Sequence, residues 1–122
     1  MIPEQFKVND GNFQSIFRSK RKSKKTFSIL FTSNYSKSSY EPRATAVNRA
    51  LEQHFDSIPP DMYTDELYNL MYVDSFDAPR IFTNGFGVTK VPLLVVYKWD
   101  EEYQDYVTYR EELPSRILNK LI

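Results

Sequence analysis

The chain contains no cysteine. That excludes disulfides, thiol nucleophiles and thiolate metal sites together. A chain without thiols also carries no signature of the redox compartment it works in. Histidine occurs once, at His54, and glycine three times. The carboxylates left as metal ligands are scattered, and none has the spacing of a calcium loop, so no metal centre is expected. Three glycines supply no Gly-rich phosphate loop, and no cofactor is expected. Lys plus Arg and Asp plus Glu each total 16, for a formal net charge of zero, so no global field recruits a charged partner. No apolar run approaches the ~20 residues of a membrane span. The start, Met1-Ile2-Pro3-Glu4-Gln5-Phe6, has neither a basic n-region nor an apolar h-region, so a cytoplasmic location without a signal peptide is expected. The sequon Asn34-Tyr35-Ser36 then reads as coincidence.

What is present suits one compact domain over residues 1–122. Apolar residues make up 41% of the chain and aromatics 16%, enough for a core and against disorder. Residues 6–9 suggest a short strand. Asp10 is an expected N-cap for a helix over 12–18 carrying Phe13, Ile16 and Phe17 on one side. Residues 26–32, nearly continuous in apolar character and rich in β-formers, suggest a central strand. A long helix is expected from about residue 39 to 55. There Ala44, Val47, Leu51 and Phe55 recur at spacings of three, four and four, and Pro42 falls near the first turn. Residues 56–65 read as a loop, 67–73 as a strand ending at Asp74, and 77–84 as a short helix closed by Asn84-Gly85. Leu93-Leu94-Val95-Val96-Tyr97 is the second strongly buried strand. It turns at 100–102 and pairs back antiparallel over 103–109. Pro114 opens a last helix with Ile117, Leu118, Leu121 and Ile122 as its apolar stripe. The order β-α-β-α-β-α-β-β-α implies parallel pairing first and a hairpin last.

Between the first helix and the first buried strand lie Arg18, Lys20, Arg21, Lys22, Lys24 and Lys25, six basic residues in eight. Such a run repels itself and is expected to be a solvated loop. It is also a candidate patch for nucleic acid or an acidic partner. It lacks interleaved aromatics for base stacking, which disfavours nucleic acid. Acidic residues concentrate in the last hairpin and beyond it, at Asp100, Glu101, Glu102, Asp105, Glu111 and Glu112.

Three local patterns, in this order, resemble the thioredoxin family over nearly the whole chain. Phe31-Thr32-Ser33-Asn34-Tyr35-Ser36-Lys37-Ser38-Ser39-Tyr40 resembles the family's strand, aromatic residue and Cys-x-x-Cys helix start. Tyr35 stands where Trp is usual, and Ser36 and Ser39 stand at the two cysteines. Met71-Tyr72-Val73-Asp74 followed by Phe86-Gly87-Val88 resembles the strand ending in Asp and the later aromatic-Gly-Val. Val91-Pro92 before Leu93 resembles the cis-proline loop. The resemblance implies an α/β fold, thioredoxin-like, with a central mixed sheet of four to five strands flanked by helices on both faces. It also implies a cis bond before Pro92 and a groove for an extended protein segment lined by Tyr35, Ser36, Val91 and Pro92.

One departure stands out. The family's buried acid in the strand before the active site corresponds here to Leu30. Ser36 and Ser39 have no general base, because His54 is fifteen residues beyond Ser39, roughly 22 Å along a helix. Ser39 then reads as a helix cap and Ser36 as solvated, an anion site at that helix start being the other reading. No catalytic residue is assigned. The resemblance leaves open a redox-inactive interaction module or assembly component, and a thioredoxin-type oxidoreductase whose cysteines at 36 and 39 are replaced by serine. A nucleic-acid-associated subunit using the basic run is a third reading, and no membrane partner is expected.

Overall fold

The computed structural model describes residues 1–33 and 41–122. Its strands are β1 (Lys7–Val8), β2 (Phe27–Thr32), β3 (Leu70–Asp74), β4 (Leu93–Asp100) and β5 (Asp105–Glu111). They form one sheet in the order β1-β3-β2-β4-β5. β1, β3 and β2 run parallel, and β4 and β5 continue antiparallel. The two most continuously apolar strands, β2 and β4, are both internal, because only internal positions bury both faces. Phe27, Ile29 and Phe31 join Met71, Val73, Val95 and Tyr97 on one side of the sheet. Leu30, Leu70, Tyr72, Leu94 and Val96 face the other.

Helices cover both faces. α1 (Phe13–Lys22) and a helical turn at Ile81–Gly85 pack on the first side; α2 (Pro42–Asp56) and α3 (Pro114–Leu121) pack on the second. Ala44, Val47, Leu51 and Phe55 of α2 are all fully buried, as their spacing predicts. No helix among the described residues is long and apolar enough to cross a membrane.

Several local expectations are corrected. α1 does not stop at Arg18; it continues through Lys22 and takes in four of the six basic residues. Lys20, Arg21 and Lys22 form its last turn, where cations meet the negative end of the helix dipole, so the run supports the helix instead of breaking it. Asp10 does not cap this helix. Its carboxylate accepts the Arg80 and Ile81 N–H groups at 3.1 Å each, while Asn9 and Asn12 satisfy one another's turn. The third strand begins at Leu70, not at 67, because Thr64 O takes the N–H groups of Leu67 and Tyr68 in a turn. The expected 77–84 helix is present over 79–85, and it widens at Ile81–Gly85, where Phe86 N–H reaches five residues back to Ile81 O at 3.0 Å. The left-handed residue there is Gly87 (φ 58°), not Gly85. The last stripe is also narrower than expected: Ile117 is buried, Leu118 and Leu121 are partly covered, and Ile122 is exposed.

Just beyond α1, Lys24 has φ 59°. This is the left-handed position after a helix end that glycine usually fills, and a side chain there costs roughly 1–2 kcal/mol. Lys24→Gly is therefore expected to raise stability by about 0.5–1 kcal/mol, the extra unfolded-state freedom of glycine offsetting part of the relief. The urea midpoint measures it, and a lower midpoint would contradict the strained position.

Candidate functional site

The C-terminal ends of β2 and β3 meet the start of β4 at one end of the sheet. The register places Thr32 beside Asp74 on one side, and Phe31 opposite Leu93 on the other. Pro92 is thereby brought level with Thr32. The Val91–Pro92 bond is cis, Pro92 is buried and Val91 is half-buried. Tyr35, Ser36 and Ser39 lie outside the described residues, so of the four expected groove residues the structure describes Val91 and Pro92.

Below this end sits a buried polar cluster. Thr32 Oγ1 donates to Asn48 Oδ1 at 2.9 Å, and Tyr72 Oη donates to the same oxygen at 3.0 Å. Ser75 Oγ donates to Ser33 Oγ at 2.9 Å, and Asp74 Oδ1 accepts the Phe76 N–H at 2.9 Å. Thr32, Asn48 and Asp74 are the buried polar residues among those described. Sequence reasoning missed Asn48. The signal was there: position 48 lies four residues after Ala44 and three before Leu51, inside the apolar stripe. Asn48→Leu should destabilise the protein by about 2–4 kcal/mol, because two buried hydroxyls lose their acceptor. Chemical denaturation checks this; a change under about 0.5 kcal/mol, the size of an ordinary surface effect, would mean the cluster is hydrated.

Leu30 is fully buried and pairs across the sheet with Tyr72 and Leu94. Where the resemblance implies a proton-relaying acid, the side chain is part of the apolar core. His54 sits toward the far end of α2, with Nε2 2.7 Å from Tyr68 Oη and its ring beside Phe55.

The basic run occupies a different face. Arg18, Arg21, Lys22, Lys24 and Lys25 are exposed. Lys20 turns inward instead: its Nζ donates to Asn69 Oδ1 at 2.6 Å and lies 3.9 Å from Asp65. Burial pushes the Lys20 ammonium below its usual pKa, and Asp65 partly opposes this. The expected lack of aromatics is corrected by tertiary structure. The Arg21 guanidinium lies 5.8 Å from the ring centres of both Phe17 and Tyr106, and Lys24 Nζ lies 5.8 Å from Trp99. Trp99 and Tyr106 are cross-strand partners in the β4–β5 hairpin, some eighty positions from the run in sequence. Burial raises the Tyr97 phenol pKa, and Arg21 and Arg110 both pull it back.

The strand order, the helices on both faces and the cis bond before β4 define a thioredoxin-like α/β domain, here with no cysteine. Solved thioredoxins share this fold. Thioredoxin from Trypanosoma brucei brucei superposes with a TM-score of 0.57 at 13% identity, over 93% of this chain and 84% of its own. Chloroplastic thioredoxin z superposes with a TM-score of 0.57 at 15% identity, over 98% of this chain and 93% of its own. No protein-family model matches the chain, and no curated protein matches it significantly.

Proposed function

We propose that this protein is a redox-inactive thioredoxin-like interaction module or assembly component. It holds an extended segment of a protein partner in the groove lined by Tyr35, Ser36, Val91 and Pro92. The observation that carries the proposal is the absence of any cysteine from a thioredoxin-like fold. Dithiol exchange passes through a mixed disulfide formed by a thiolate, and this chain has none to offer. Buried Leu30 in place of an acid points the same way, since proton relay has no use without thiols. Tyr35 brings the aromatic contact area enriched at protein interfaces.

In an insulin-reduction assay the protein should show no activity above the buffer. Extended peptides selected against the intact protein by display should lose at least about tenfold in affinity, roughly 1.4 kcal/mol, when Val91 is changed to Glu. The melting temperature should shift little, because Val91 is only half-buried. Peptides that bind Val91→Glu as tightly as the parent would sink the groove.

A further inference from the structure

We infer that the face built by the last turn of α1, the 23–26 loop and the β4–β5 hairpin binds single-stranded nucleic acid. This site is separate from the groove and does not depend on it. Its cations are not neutralised by carboxylates: among the described residues, none of Arg18, Arg21, Lys22, Lys24 and Lys25 is in an ion pair. In a chain of zero net charge this is a local concentration of positive charge, and phosphates are what such a stripe attracts.

The loop is not free, as a merely solvated run would be. Tyr106 Oη lies 3.1 Å from the Lys20 carbonyl and 3.0 Å from that of Lys25. Trp99 N–H donates to Thr26 Oγ1 at 3.3 Å, and Ser23 Oγ donates to Lys20 O at 2.6 Å. Of these cations, Arg21 lies over the partly exposed ring of Tyr106 and Lys24 over that of Trp99. Lys24 keeps its place in a left-handed conformation that glycine would adopt without strain.

Exposed cations and two partly exposed rings on one face offer a contact for each part of a single strand, its phosphates and its bases. Sequence-tolerant binding of single strands uses this combination of backbone charge and aromatic stacking. An acidic protein segment would use the charges and leave the rings idle. The hairpin tip, carrying Glu101 and Glu102, closes one end of the face with like charge, so the footprint is a few nucleotides and the site is non-specific.

Trp99 is the only tryptophan, so its fluorescence reports this face directly. Titration of the intact protein with oligothymidylate of about 12 nucleotides should quench it. Between about 50 and 200 mM salt, affinity should fall about 20- to 50-fold, as expected for roughly three to four phosphate contacts on a single strand. Arg21→Glu with Lys25→Glu should abolish the quenching. Arg43→Glu with Arg49→Glu, on α2 across the sheet, should leave it intact. Lys24→Gly guards against a folding artefact: it should raise the melting temperature yet weaken binding severalfold. Absence of quenching at low salt would overturn the assignment, as would unchanged binding by the Arg21/Lys25 variant. Polyglutamate competing as well as the oligonucleotide would also overturn it, by assigning the face to an acidic protein.

Discussion

Leu30→Asp is expected to destabilise the protein by about 4–6 kcal/mol. Two effects combine. The variant loses the burial of a full leucine side chain, about 1.5–3 kcal/mol. It also places a carboxyl among Tyr72, Leu94 and the apolar face of α2, where an uncompensated polar group costs several kcal/mol more. The Tyr72 hydroxyl is already committed to Asn48. Against a typical net stability of about 5–15 kcal/mol, much of the population would unfold. The pH dependence fixes the cause. Burial should raise the pKa of the introduced carboxyl above its unfolded value of about 4, so the folded state holds the proton more tightly. The variant should therefore be least unstable below pH ~4 and lose stability as pH rises through the window between the unfolded and folded values. Urea denaturation across that window tests both. A loss under about 1 kcal/mol, or the opposite slope, would mean that position 30 retains a place for an acid.

Introducing thiols should have the second large effect, turning a chain without cysteine into one with exchange activity. In the Ser36→Cys, Ser39→Cys variant the two sulfurs stand at the positions that resemble the family's cysteine pair. The variant should oxidise to an intramolecular disulfide, seen as the loss of two hydrogens by mass spectrometry. It should catalyse insulin reduction weakly, because Leu30 cannot relay protons. Formation of intermolecular disulfides only, or resistance to oxidation, would remove Ser36 and Ser39 from an active-site-like turn and would take the groove with them. Robust activity would instead favour an oxidoreductase with its cysteines exchanged.

The sheet was legible because its signals are local. Residues 27–31 and 93–97 announce buried strands by nearly unbroken apolar character, and the stripe from Ala44 to Phe55 announces an amphipathic helix. Their alternation settles a parallel start and a hairpin end, and the lack of cysteine excludes thiol chemistry before any fold is known. The errors fell where a short segment depends on distant partners. The end of α1 was misread because charge repulsion argues for a loop, whereas the helix dipole and the rings of Tyr106 and Phe17 hold the cations. Asp10 looked like a cap for the next helix in sequence, but it serves backbone N–H groups seventy residues away.

Sequence by itself determined that this is an α/β fold without thiols, and that Leu30 is an apolar residue at the position resembling a family acid. Those follow from residue identity and from spacings of two to four positions. Only the tertiary structure decided that Thr32, Asn48 and Tyr72 share one buried network, that Lys20 faces inward, and that Trp99 and Tyr106 stand among the exposed cations. Each joins residues that periodicity cannot relate. They meet because hydrophobic burial folds the hairpin and helices onto the same sheet, and buried donors must then find acceptors wherever the packing brings them.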